Sequence, residues 1–213
     1  MKLKINEIYK SIQGESTLSG LPCTFIRLTY CNLRCSYCDT EYAFYDGDDI
    51  SIKNIIAQVN DLKCKLVLVT GGEPLVQDGC IELLKKLIEN GNNTVIETGG
   101  ALSIDKIPKK TKIIYDIKCP SSNMSDKNLW HNLKLLKKDD EIKFVIGTKE
   151  DYIWSKKIIK KHKLDTICSI LISPVYNKID SKKIVEWILK DNINVRFQMQ
   201  MHKQIWEPDK KGV

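Results

Sequence analysis

The chain has 213 residues, 42% hydrophobic and 29% charged, a balance that fits a folded globular protein and excludes a disordered one. No apolar run approaches the roughly 18 residues of a membrane span, and the opening Met1-Lys2-Leu3-Lys4-Ile5-Asn6-Glu7 lacks the apolar core of a secretory signal. The net charge of +7 rests on lysine, since only Arg27, Arg34 and Arg196 are arginine. With no basic stripe carrying interleaved aromatics, neither a nucleic-acid nor a membrane partner is expected. Eight cysteines without a secretory signal are expected to be reduced thiols in the cytoplasm.

Lys4 to Tyr9 suits a short entry strand, followed by the polar loop Ser11-Ile12-Gln13-Gly14-Glu15-Ser16. Thr24 to Tyr30 is an apolar strand that runs into Cys31-Asn32-Leu33-Arg34-Cys35-Ser36-Tyr37-Cys38-Asp39-Thr40. Ser51 is placed to cap a helix in which Ile52, Ile55, Ile56 and Val59 recur at helical spacing. Lys65 to Thr70 reads as a buried parallel strand, and it ends in Gly71-Gly72-Glu73-Pro74. A helix from Cys80 to Asn90 stops at Gly91. Strands follow at Thr94 to Glu97, before Thr98-Gly99-Gly100, and at Lys112 to Ile117, before Lys118-Cys119-Pro120.

Leu129 to Leu136 is predicted as a short helix, Glu141 to Ile146 as a strand and Tyr152 to His162 as a lysine-faced helix. The strand Thr166 to Ile172 leads to Ser173-Pro174-Val175-Tyr176. Helix Ser181 to Lys190, strand Val195 to Gln200 and the tail Met201 to Val213 complete the chain. Alternating strands and helices imply parallel βα units. Six or seven strands are too few for a closed barrel of eight. The expected fold is therefore α/β, a single domain over 1–213 forming a partial, open βα barrel of about six parallel strands. Its active site belongs at the C-terminal strand ends, where the unusual polar sequences sit.

Cys31, Cys35 and Cys38 form a CxxxCxxC spacing. Three thiolates can hold three corners of a 4Fe-4S cluster and leave the fourth iron open, which the amino and carboxylate groups of S-adenosylmethionine can chelate. Part of a zinc site, or packed thiols, are the alternatives, although the paired CxxC or HxxxH of common zinc sites is missing. Cys23, Cys64, Cys80, Cys119 and Cys168 have no obvious partners and read as packing, and His131 and His162 as surface residues.

The CxxxCxxC loop, with Tyr37 before the last cysteine, and the GGEP turn after a buried strand resemble the radical S-adenosylmethionine superfamily. The resemblance implies reductive cleavage of the cofactor and hydrogen abstraction, so the cofactor and not a side chain carries the radical. It places Gly72, Glu73, Thr98, the Asp116-Ile117-Lys118 segment, and Ser173, Pro174, Val175 and Tyr176 around the cofactor with Tyr37. An activase that installs a glycyl radical on a partner protein, or a zinc-binding nucleic-acid module, are the rival readings.

Tyr9-Lys10-Ser11-Ile12-Gln13-Gly14-Glu15-Ser16, Arg27, Cys38-Asp39-Thr40 and the tail from Gln200-Met201-His202-Lys203 to Gly212-Val213 narrow the resemblance to the 7-carboxy-7-deazaguanine synthase family. That likeness spans nearly the whole chain. It implies conversion of 6-carboxy-5,6,7,8-tetrahydropterin to 7-carboxy-7-deazaguanine with loss of ammonia, in queuosine and related 7-deazapurine biosynthesis. It also implies catalytic use of S-adenosylmethionine, a Mg²⁺ ion, a homodimer and an external one-electron donor of flavodoxin or ferredoxin type. Thr40 would be the Mg²⁺ ligand by resemblance, whereas physics alone favours Asp39. Substrate contacts fall on Ile12, Gln13, Gly14, Glu15, Arg27, Thr70, His202 and Val213. Gln13, Glu15 or a tail carboxylate suits the pterin's N–H edge, and Arg27 suits its carboxylate, with a buried ion pair as the alternative for Arg27.

Overall fold

A computed structural model describes residues 1–213. It contains one nine-stranded sheet in the order β3-β1-β2-β4-β5-β6-β7-β8-β9. Here β1 is Lys2–Ile12, β2 Pro22–Leu28, β3 Asp48–Ser51, β4 Leu66–Gly71 and β5 Asn93–Thr98. They are followed by β6 Lys112–Ile117, β7 Glu141–Ile146, β8 Ser169–Pro174 and the two-residue β9 Arg196–Phe197. From β2 through β4 to β9 every pairing is parallel, while β1 runs antiparallel to β2 and β3. The edges β3 and β9 do not pair with each other, so the sheet stays open. The six full parallel strands are those expected, and β1 and β3 extend one edge.

Helices α1 (Ile52–Asp61), α2 (Gly79–Glu89), α3 (Lys149–His162) and α4 (Ser181–Asp191) separate the strands. Ser51 caps α1 by accepting from the N–H of Asn54 at 3.2 Å. The helix α3 starts three residues before its expected position because Thr148 and Asp151 form a capping box ahead of the apolar periodicity.

Strand alternation sorts side chains onto two faces. Ile26, Leu28, Val67, Val69, Ile96, Ile113, Tyr115, Ile142, Phe144 and Ile172 point into the large core with the helices. The opposite face begins as a smaller apolar layer of Cys23, Phe25, Leu68, Val95 and Ile114, with Leu18 packed against it. Further along the same strands that face turns polar, at Arg27, Thr70, Glu97, Asp116, Lys143 and Ser173.

Several boundaries differ from expectation. Ser11 and Ile12 belong to β1, paired with Cys23 and Pro22. The strand β3 is charged and lacks apolar alternation, yet it pairs Asp49 with Lys4 and Asp48 with Ile5 at the sheet edge. Leu129 to Leu136 is a 3-10 turn over Trp130–Lys134, and Thr166 belongs to another turn, Leu164–Thr166, before β8. In the segment Val195 to Gln200 the strand ends at Phe197; Gln198 N still donates to Ile172 O of β8, while the side chains of Gln198 and Gln200 bridge to Ser16 and Glu15 of the N-terminal loop.

Candidate active site

The polar face opens into a cavity of about 480 Å³ at the C-terminal ends of the parallel strands. Cys31, Cys35 and Cys38 line it from the loop after β2, and Gly72 and Glu73 from the turn after β4. Thr98, Asp116 and Lys118 follow from β5 and β6, and Ser173 to Tyr176 from β8. The end of β1 contributes Ile12 and the loop after it Gln13, Gly14 and Glu15, and the tail contributes His202 and Val213; Arg27, Tyr37, Thr40 and Thr70 complete the expected set. Ile117 alone stands apart: its side chain is fully buried in the helix-covered core, as the alternation beside Asp116 requires.

Close backbone packing dictates the glycines of the GGEP turn. A Cβ on Gly72 would collide with the carbonyl oxygen of Tyr30, and one on Gly71 with that of Leu28. The N–H of Glu73 donates to Tyr30 O at 2.8 Å, which ties the turn to the residue before Cys31. Tyr30 itself adopts φ 76°, a left-handed conformation costly for a bulky side chain. The Glu73 carboxylate is fully buried and accepts from Leu75 N at 3.0 Å, Thr98 Oγ1 at 2.9 Å and Gly99 N at 2.7 Å. Burial pushes its pKa up, and those three hydrogen bonds oppose the shift.

All eight cysteines are free thiols. Burial raises the pKa of Cys31, Cys35 and Cys38, and the nearby Lys118 ammonium opposes the rise in each. No three His, Cys, Asp or Glu side chains converge closely enough to ligate one ion. A cubane makes no such demand, because each thiolate takes its own iron, so three cavity-facing cysteines on one loop fit the cluster. The cavity also offers an unmet acceptor. Asp116 Oδ2 holds Lys118 at 2.8 Å, while the buried Oδ1 has no hydrogen-bond partner. A ligand's ammonium or hydroxyl group would satisfy it.

Arg27 gives Nε to Glu7 at 2.6 Å and Nη2 to Tyr9 at 3.2 Å, so the ion pair anticipated as an alternative is present. Thr40 donates its hydroxyl to Asp39 Oδ1 at 2.8 Å. Asp39 also accepts from Gln200 and Lys203, each at 3.0 Å. Although partial burial opposes it, Lys203 leads the interactions that hold the Asp39 carboxyl below the usual range.

Glu97, Lys143, Gln200 and Lys203 also line the cavity and were missed in the sequence. For Glu97 and Lys143 a signal existed: a charge at an alternate position inside an otherwise apolar strand. His162 differs from its expected surface role, since its ring stacks on Trp130 at 5.0 Å and its Nε2 is buried. Cys23, Cys80, Cys119 and Cys168 are buried in packing, and Cys64 is half-buried.

An open parallel sheet with a three-cysteine loop and a GGEP turn at its carboxyl edge defines a radical S-adenosylmethionine enzyme, and residues 25–188 match the Radical SAM superfamily. The chain is 41% identical to 7-carboxy-7-deazaguanine synthase of Chlorobaculum tepidum over 99% of its own length and 97% of that protein. It is 43% identical to the synthase of Methanospirillum hungatei, over 97% and 86%. Its fold matches the crystal structure of QueE from Escherichia coli with a TM-score of 0.78 over 95% of both chains, at 24% identity. The chain belongs to the 7-carboxy-7-deazaguanine synthase family. Its cofactors are accordingly a 4Fe-4S cluster and S-adenosylmethionine. No helix is long and apolar enough to cross a membrane.

Proposed function

We propose that this protein converts 6-carboxy-5,6,7,8-tetrahydropterin to 7-carboxy-7-deazaguanine with loss of ammonia, on the route to queuosine and related deazapurines. The observation that carries this reading is the meeting of Gln13-Gly14-Glu15, the three-cysteine loop, the GGEP turn and the tail around one cavity. The chain acts as a single domain over 1–213, with the N-terminal loop and C-terminal tail completing the site.

Cys31, Cys35 and Cys38 would hold the cluster. Tyr37, Gly72, Glu73, Thr98, the Asp116-Ile117-Lys118 segment and Ser173-Pro174-Val175-Tyr176 would hold S-adenosylmethionine. When bound, these groups supply one-electron cleavage of a sulfonium bond and hydrogen abstraction from carbon.

The chain's own residues bind and orient. Arg27, with Nε and Nη2 fixed by Glu7 and Tyr9, turns its remaining donor capacity to the substrate carboxylate. Gln13 and Glu15 accept from the pyrimidine edge, and Ile12, Gly14, Thr70, His202 and Val213 enclose the ring. Thr40 would hold Mg²⁺ through its hydroxyl oxygen, a neutral ligand that suits a metal bound mainly together with substrate. The loop and tail shield the reacting carbon from solvent.

The electron donor is of flavodoxin or ferredoxin type, the protein works as a cytoplasmic homodimer, and it needs no nucleic-acid or membrane partner. Anaerobic incubation of cluster-loaded protein with reductant, S-adenosylmethionine, Mg²⁺ and the pterin tests the reading. A product with the mass of 7-carboxy-7-deazaguanine supports it, and unchanged pterin beside cleaved cofactor contradicts it.

A further inference from the structure

The inner face of β7 carries Glu141 and Lys143, two charges in a strand whose other face, Ile142, Phe144 and Ile146, is wholly buried. Buried charges persist only when paired. Lys143 is 6% exposed and meets three carboxylates from three other elements. Its Nζ lies 3.0 Å from Glu15 Oε2, hydrogen-bonds Glu97 Oε1, and stands 3.7 Å from Asp116 Oδ2. Burial pulls its pKa down, but Glu15, Glu97 and Asp116 together hold it well above the ordinary lysine range. The ammonium is a fixed charge.

Of those partners only Asp116 has a second cation. Asp116 is held by Lys118 at 2.8 Å as well as facing Lys143 across the β6–β7 register. Glu15 has no other cation: its Oε1 takes one neutral hydrogen bond, from Gln200 Nε2 at 3.0 Å. The backbone around Glu15 is pinned independently. Thr17 N donates to Glu141 at 3.1 Å, Ser16 N to Gln198 Oε1 at 2.7 Å, and Met201 N to Gly14 O at 3.0 Å. Lys143 is thus the one cation that fixes the direction of the Glu15 side chain at the cavity wall.

We propose that Lys143 is a positioning residue for the reaction, holding Glu15 aimed to accept the substrate's N–H donors without itself touching substrate. This rests on the pterin reading of the site. It assigns Lys143, rather than the loop sequence alone, to substrate affinity.

The test is a double-mutant cycle on cluster-loaded enzyme, with pterin KM, kcat and S-adenosylmethionine affinity measured for each variant. Lys143→Met is expected to raise the pterin KM about tenfold or more, with kcat and cofactor affinity changed less than about threefold. K143R keeps the charge and should stay within about threefold of wild type. Because Lys143 acts through Glu15, E15Q/K143M should be no worse than E15Q. A wild-type KM in K143M, or losses that add in the double variant, overturns the proposal. Should K143M fail to fold, K143Q, which also removes the charge, replaces it in the cycle, and a loss that adds to that of E15Q overturns the proposal. Wild-type turnover is measured first: absence of product defeats the pterin reading, whereas turnover with an additive cycle defeats only the role of Lys143.

Discussion

Gly14 and His202, which belong to opposite ends of the chain, pack so closely that a Cβ on Gly14 would stand 2.6 Å from Nδ1 of the histidine and 3.3 Å from its backbone N. The glycine is required by this contact and not by backbone strain, because its φ lies outside the left-handed region. Gly14→Ala should push the tail off the loop and raise the pterin KM roughly tenfold, the equivalent of about 1.4 kcal/mol. S-adenosylmethionine affinity should hold. Limited proteolysis should cut the tail of G14A faster than that of wild type.

Glu73 faces donors only: Leu75 N, Thr98 Oγ1 and Gly99 N. Glu73→Gln sets an amide NH₂ against one of them, leaving buried groups unsatisfied. It should cost about 1–3 kcal/mol of stability, read by urea unfolding. It should also weaken cofactor binding, because the turns after β4 and β5 then lose their common tie.

The three-cysteine loop separates cleanly from the other thiols. Single Ala substitutions at Cys31, Cys35 or Cys38 should abolish cluster assembly, read as loss of iron, of acid-labile sulfide and of the visible charge-transfer absorbance. Cys64→Ala should retain all three signals, since this half-buried thiol contacts only backbone carbonyls, Pro22 O at 3.2 Å and Leu66 O at 3.5 Å. Loss of iron in C64A would mean that a fourth cysteine ligand had been overlooked.

His162 gives a pH signature. Burial against Trp130, and then the Lys161 charge, lower its pKa. The folded state therefore prefers neutral imidazole, so its contribution is intact above the unfolded value of about 6.5 and is lost as pH falls through it towards the folded value. The wild-type Tm should fall more steeply between about pH 6.5 and 5 than that of His162→Phe, which keeps the stack without a titrating ring. Parallel Tm profiles would contradict this.

Local signals made most of the fold legible. Ser51 ahead of Ile52, Ile55 and Val59 announced α1, and the apolar run before Gly71 announced β4. The cysteine loop, the GGEP turn and the Gln13-Gly14-Glu15 loop were readable because each is contiguous in sequence. What escaped depends on contacts between distant residues. Asp48-Asp49 has no strand periodicity and becomes β3 only by pairing with Lys4 and Ile5. Gln200 gains meaning when the tail brings its amide to Glu15 and Asp39. Lys143 and Glu97 were read as strand residues, although a charge at an alternate position of a buried strand already marks the face that needs a partner.

The most direct test of the account is the ratio of deazaguanine formed to S-adenosylmethionine consumed, both followed by mass in one anaerobic reaction of cluster-loaded protein with the pterin and Mg²⁺. The account predicts deazaguanine in clear molar excess over cofactor lost. Cofactor cleaved with no deazaguanine would keep the radical enzyme and contradict its assignment to this substrate.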